Sequence, residues 1–302
     1  DGGSRGPAVS RLARNLPRTI LSFANAAEAP TALLAKREMQ SWELLQLEPA
    51  ALRRADEFNA PARLLSDGTH LPSTLFRLAN TTEENELPDP DKIYTKLSNR
   101  VYELIGEITM LRVDRDEKRE LLTLQLITKD GTMHPARALS DGTLRFIALG
   151  ILELDPQAKG LICLEEPENG IHPSRVKSML QLLQEIAVDP NYSVDDENPL
   201  RQVIVNTHSP LVVQQVPEDS LLIATLEPEE STGNKILQLA ALPGTWRSDA
   251  EGTRTIPLGD ILQYVGRLVA PETPADNGAH MTTKRVVDNS YVQPYLPGFE
   301  VQ

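Results

Sequence analysis

The apolar positions of this chain change period several times, and each change predicts an element. Leu71, Leu75, Phe76 and Leu78 recur at helical spacing after an Asp67-Gly68 turn signal. Ile93, Leu97 and Val101 mark one face of a helix running from Lys92 to Val101. Residues 31–39 are also compatible with a helix. Trp42, Leu44, Leu45 and Leu47 form a mixed apolar run, after which Pro49 can open a short helix at its first turn. From 106 to 138 the period falls to two. Ile108, Met110, Leu111 and Val113 precede a charged turn, Leu122, Leu124 and Leu126 alternate with polar neighbours, and Asp130-Gly131 signals a hairpin. This stretch predicts a small antiparallel sheet.

Beyond residue 139 the pattern becomes helix, strand, helix, strand. Thr143 to Leu154 is an apolar helix, Leu161 to Leu164 a short strand with the burial expected of a continuous apolar run, and Pro173 to Ile186 an amphipathic helix. Residues 188–201 read as an acidic loop, and Val203 to Val205 as a second buried strand ending in Asn206-Thr207-His208-Ser209. A helix from Pro210 to Val216, with Ser209 as its cap, and strands at 221–226 and 235–239 complete the set. Residues 1–30, 81–92 and the Pro-, Asn-, Gly- and Thr-rich stretch from 270 onward are expected to be irregular or mobile. No internal repeat or heptad pattern is present.

Composition narrows the picture. At 302 residues one large domain or two smaller ones is expected. A net charge of −13 argues against a surface that coats nucleic acid, although a local basic face remains compatible. The single cysteine, Cys163, allows no internal disulfide and fits a reducing cytoplasm. No 18-residue apolar run exists, so no membrane span is expected.

The chemistry concentrates between 139 and 209. LSDGT (139–143) places a Ser-Gly turn before a helix. GLICLEEP (160–167) delivers two adjacent carboxylates, Glu165 and Glu166, at the end of a strand, and VIVNTHSP (203–210) delivers His208 at the end of another. In open α/β sheets ligands bind beyond the carboxyl ends of the strands. Two carboxylates and an imidazole there are the equipment for metal-bound phosphate and an activated water. On a strand, adjacent side chains point to opposite faces, so Glu165 and Glu166 should not share one role.

The order and spacing of these segments resemble the C-terminal half of an ABC-type ATPase head of the SMC/RecF-like AAA ATPase (AAA_21-type) family, over roughly residues 40–265. The resemblance implies an α/β, P-loop NTPase-like parallel-sheet lobe with a helical and antiparallel insertion. In it, LSDGT is the ABC signature, ICLEEP the Walker B strand and His208 the switch histidine. Glu165 then orients Mg²⁺, Glu166 polarises the attacking water, and His208 bonds the γ-phosphate. Ser140, Asp141 and Gly142 meet the γ-phosphate held by a second protomer, through the Ser140 hydroxyl and backbone N–H groups at a helix N-terminus. Implied with these are ATP and Mg²⁺, a homodimer closing on ATP, a DNA or effector-protein partner, and work in DNA repair or phage defence.

The chain departs from the family in two places. No G-x-x-x-x-G-K-[ST] phosphate loop occurs in the 302 residues. The expectation is a fragment beginning at Asp1, or a partner chain that brings the loop, and poor ATP binding by this polypeptide alone. His70 stands where the family usually has Asn, which questions the hydrogen bond that Asn makes in its turn. The segments are expected as an N-terminal remnant with the insertion (1–138), the ATPase lobe (139–245) and a C-terminal extension (246–302). A non-catalytic interaction module that keeps the fold is the rival reading, and an OLD-type ATPase-nuclease a further one, which would add a metal-binding domain whose acidic cluster has no match after His208. Glu168, Asn169 and His172 are expected at the partner interface; a metal site of Glu165, Glu168 and His172 is the alternative.

Overall fold

A computed structural model of the chain describes residues 18–27, 29–81, 89–106, 108–195, 198–229, 233–257, 259 and 261. The expected mobile tail and most of the 81–92 loop fall outside them. The helices are α1 (Pro30–Gln40), α2 (Pro49–Leu52), α3 (Leu71–Asn80), α4 (Pro90–Ile105), α5 (Asp141–Leu154), α6 (Val176–Ile186) and α7 (Pro210–Val213). The strands are β1 (Glu43–Leu45), β2 (Asp56–Glu57), β3 (Ile108–Asp116), β4 (Leu121–Thr128), β5 (Met133–Pro135), β6 (Gly160–Glu165), β7 (Arg201–Asn206), β8 (Ile223–Pro228), β9 (Lys235–Ala241) and β10 (Arg254–Thr255).

A parallel sheet in the order β1-β6-β7 carries the chemistry-bearing strand ends. The antiparallel sheet is built on β3 and β4, with β2 and β5 sharing the other edge of β4. A third sheet, β10-β9-β8, follows α7. One apolar core runs from Leu45 to Val212 and so crosses residue 138, while a smaller cluster joins Leu242 and Ile261. The 139–143 segment and the antiparallel sheet before it therefore share their packing.

Helix α5 is the centre of that core. From Gly142 to Leu152 every residue is buried except Arg145. A helix apolar on all sides belongs inside a domain. Gly150 lets α4 come close: a Cβ there would lie 2.7 Å from Leu97 Cδ1. The N-terminus of α5 is equally tight. A Cβ on Gly142 would lie 2.4 Å from the carbonyl oxygen of Gly170, so glycine is what allows this turn to pack on the loop after β6.

Two expectations of burial are not met. Ile204 is 56% exposed and Cys163 is only partly buried. The register sets Leu44, Cys163 and Ile204 in one row across the sheet, whereas Leu45, Leu164 and Val205 form the row facing the core. Only the latter face is packed, so the alternation of a half-covered sheet overrides the continuous apolar run. The charged turn also begins later than its composition suggests, because Asp114, Arg115 and Asp116 extend β3 as ladder residues.

At residue 70 the histidine adopts the left-handed conformation (φ 68°) and makes no side-chain cap. Its ring instead lies 3.0 Å from Asp56, whose other oxygen accepts the Ser73 backbone N–H at 2.9 Å. The preceding turn is held by Asp67, which accepts from the Thr69 backbone N–H and hydroxyl, both at 2.8 Å. These bonds keep the Asp67 carboxyl below its ordinary value of 3.8.

A carboxylate with a depressed native value contributes stability that is present above 3.8 and lost as pH falls through that lower value. Carbon-13 NMR of the Asp67 carboxyl should therefore give a midpoint below 3.8, and Thr69→Val, which removes the hydroxyl donor, should raise it. Gly142→Ala drives a methyl into a backbone carbonyl. It should cost about 1–3 kcal/mol, as overpacking does, read as a lowered midpoint in urea. An unchanged midpoint would show that the turn has room to relax.

Candidate active site

Strands β6 and β7 run parallel with Glu165 opposite Asn206, so both deliver their following loops to the same end of the sheet. Glu165 ends β6 and is exposed, and Gln46, just past β1, donates its side-chain N–H to Glu165 Oε2 at 3.2 Å. The next residue leaves the strand abruptly. Glu166 adopts φ 44° and donates its backbone N–H to the Asn206 carbonyl at 2.8 Å. Non-glycine residues in the left-handed region are uncommon and cluster at functional sites. The reversal sends the two carboxylates different ways.

The Glu166 carboxylate is 28% exposed and held on both oxygens. Oε1 pairs with His208 Nδ1. Oε2 accepts from Asn169 Nδ2 at 2.6 Å. The imidazole of His208 is 76% exposed at the mouth of the site. One residue before it, the Thr207 hydroxyl donates to Glu168 Oε1 and accepts the Ser209 backbone N–H at 2.9 Å. Ser209, expected to cap α7 with its side chain, makes no side-chain cap there. Its backbone carbonyl serves instead, accepting from the Val212 and Val213 N–H groups. Glu168 Oε2 is buried and has no partner.

Ser140 is the N-cap of α5, and its Oγ accepts the Thr143 backbone N–H at 3.2 Å. Asp141 pairs with Arg53 at 2.5 Å, and the same Arg53 Nη2 donates to the Leu139 carbonyl at 3.0 Å. Gly142 is buried against Gly170, in the loop that follows Glu166. The structure thus brings Glu166 and His208 into direct contact, while Glu165, the preceding residue on the same strand end, is bonded to Gln46. The turn at 139–143 reaches them through the loop at 166–171, where Gly142 packs on Gly170.

The residues missed in the sequence were Gln46, Arg53 and Arg145. Gln46 had a faint signal, a polar residue closing an apolar strand run; the arginines had none.

An oxygen site beside a strand end suits Mg²⁺, which uses one or two carboxylates and fills its shell with water and phosphate oxygens. Glu165 has that character. Among the described residues no group of three or more His, Cys, Asp and Glu could hold a metal ion. The alternative set is dispersed, with Glu168 on Thr207 and His172 Nδ1 2.8 Å from Ser174 Oγ. A cleft of about 310 Å³ opens behind the carboxylates, between the β1 end and α5, lined among others by Gln46, Glu48, Arg145, Glu165 and Glu166.

Solved structures similar to this chain are heads of SMC ATPases. One, from work on ATP-driven dimerization and DNA-stimulated activation of SMC ATPases, is 14% identical over 50% of this chain and 84% of its own, with a TM-score of 0.35. The SMC head domain from Thermotoga maritima is 11% identical over 60% of this chain and 58% of its own, with a TM-score of 0.32. An SMC head bound to the C-terminal winged-helix domain of ScpA is 11% identical over 67% and 56%, with a TM-score of 0.39. The chain thus spans under two thirds of the latter two. No individually curated protein matches it. No helix among the described residues is long and apolar enough to cross a membrane. The family model described as "AAA domain, putative AbiEii toxin, Type IV TA system" matches residues 8–214. By that match the chain belongs to this AAA family, of nucleotide-binding ATPase type and P-loop NTPase-like α/β fold.

Proposed function

We propose that the protein containing this chain hydrolyses ATP in a dimer, with Glu166 as the group that polarises the attacking water. One observation carries this reading: Glu166 leaves the strand in a left-handed conformation and sits between Asn169 and His208. A carboxylate so placed accepts a proton from water, and two donors fix its direction. In phosphoryl transfer the protein's contribution is mainly positioning and electrostatic stabilisation. Mg²⁺, when bound at Glu165, supplies charge neutralisation on the phosphate oxygens. His208 bonds the γ-phosphate. Its exposed ring meets the water's binding partner, Glu166, so it links the phosphate to the water that attacks it.

The second protomer contributes Ser140, Asp141 and Gly142 through the α5 N-terminus. Arg53 offsets the Asp141 charge where a phosphate would approach. No phosphate-loop consensus occurs in these 302 residues. The segments 1–138, 139–245 and 246–302 are a functional division, since the core crosses residue 138. We place the protein in the cytoplasm, acting with DNA or an effector protein in repair or phage defence. The family's description, which names a toxin of type IV toxin–antitoxin systems, favours defence.

The missing loop consensus also supports a second reading, a non-catalytic interaction module. Mg²⁺-dependent phosphate release separates the two, measured on this chain and on the upstream-extended gene product. Turnover by the extended product alone supports hydrolysis; no binding or turnover by either supports the module. In the extended product, Glu166→Gln should keep ATP binding and lose about 100-fold or more in kcat. Undiminished turnover would remove Glu166 from its role.

A further inference from the structure

Arg145 stands out on α5. It is the one residue from Gly142 to Leu152 that is not buried, on a helix otherwise given over to the core. Its guanidinium leaves the helix and bonds two backbone carbonyls on two other segments. Nε donates to the Leu47 carbonyl at 3.3 Å, and Nη1 donates to the Asn169 carbonyl. Each carbonyl sits next to the site. Leu47 follows Gln46, whose side chain bonds Glu165. Asn169 bonds Glu166 twice: its backbone N–H reaches the Glu166 carbonyl at 3.0 Å, and its side chain reaches the carboxylate at 2.6 Å.

We propose that Arg145 is a positioning residue for the Glu166 carboxylate, acting through the backbone of Asn169. The inference rests on the reading of Glu166 as the group that polarises water. Arg145 touches none of the reacting atoms. It fixes the loop from which Asn169 holds Glu166, and it ties that loop to the segment carrying Gln46. Both tasks use one planar fork with donors in fixed directions, which a lysine ammonium cannot reproduce. Fixing the fork also couples the α5 N-terminus to Glu166 within one chain. A phosphate closing on Ser140 and Gly142 therefore acts on a helix whose next turn holds the Glu166 loop.

Arg145→Lys keeps the charge and the aliphatic stem and loses the fork. In the ATP-hydrolysing protein containing this chain it should lower kcat roughly 10- to 100-fold, the scale of a misplaced catalytic group. KM for ATP should stay within about threefold, because ground-state binding is untouched. Asn169→Ala should lower kcat similarly, and adding Arg145→Lys to it should cost little more, since both act on the same carboxylate. Wild-type kcat in Arg145→Lys, a parallel rise in KM, or multiplicative losses in the double variant would each overturn the proposal.

Hydrogen exchange on the 302-residue chain gives an arm that needs no turnover. Arg145→Lys should speed exchange at the Asn169 and Ile171 amides and leave Ile147 to Ile151 unchanged. Unaltered exchange in the loop overturns the proposal as well. Glu166→Gln, run alongside, separates the two readings. If it abolishes turnover while Arg145→Lys does not, only the positioning role fails. If it leaves turnover intact, the reading of Glu166 as the water-polarising group fails and exchange alone decides the role of Arg145.

Discussion

The parallel pairing of β6 with β7 is the constraint on which the site depends. Six residues of each strand are in register, from Gly160 opposite Arg201 to Glu165 opposite Asn206. Because the strands run the same way, their carboxyl ends arrive together, and the loops that follow share one rim. The pairing does not stop with the sheet. The Glu166 N–H continues it onto the Asn206 carbonyl after the chain has left the strand conformation. A one-residue slip would send Ile162 and Leu164 to the open face and Cys163 to the core. The burial of Ile162 and Leu164 holds the register, and the register places Glu166 beside His208.

Helix α5 makes this rim rigid, and arginines hold it at both ends. At its start, Arg53 bonds the Leu139 carbonyl and Asp141, and Arg145 bonds the loop after Glu166. At its end, Arg201 on β7 donates to the Leu152 and Glu153 carbonyls, which as last-turn groups have no helical partner. Burial lowers the Arg201 value, yet the cation sits at the negative end of the helix dipole, where it is favoured. Its Nε remains without a partner, a cost accepted to pin β7 against α5. The strand leading to His208 and the loop bearing Glu166 are thus referred to a common buried axis.

Much of this was legible in the residues. Local apolar pattern located eight elements: one-sided periodicity marked α3, α4, β3, β4 and α6, and largely unbroken apolar runs marked α5, β6 and β7. The positions of Glu165, Glu166 and His208 after strands followed from short apolar runs ending in polar residues. The degree of burial was not legible. The run Val203-Ile204-Val205 does not reveal that only one face of its sheet is packed, which leaves Ile204 open. The longest-range bonds were equally hidden. Gln46 to Glu165 spans 119 residues, Arg145 to Leu47 spans 98 and Arg53 to Asp141 spans 88, separations at which no local pattern marks a partner. Gly142 was readable as a site of close approach, but the backbone that approaches it here is that of Gly170.

The unlike surroundings of Glu165 and Glu166 follow from one backbone torsion. In an unbroken strand the two side chains would face opposite sides of the sheet. Glu165 keeps the strand conformation and meets Gln46. Glu166, at φ 44°, turns out of the strand and meets Asn169 and His208. A left-handed non-glycine residue costs roughly 1–2 kcal/mol, and glycine here would remove that cost. It would also remove the carboxylate. The strain persists because the Asn206 carbonyl, the Asn169 side chain and the His208 ring all hold Glu166 in that conformation, and these three groups lie on the neighbouring strand and on the loops beyond the two strand ends. Strain over-determined by its surroundings is how a fold keeps a reactive group oriented before substrate arrives. The same bonds that hold the torsion aim the carboxylate, so the stability of the rim and the orientation of Glu166 cannot be altered separately.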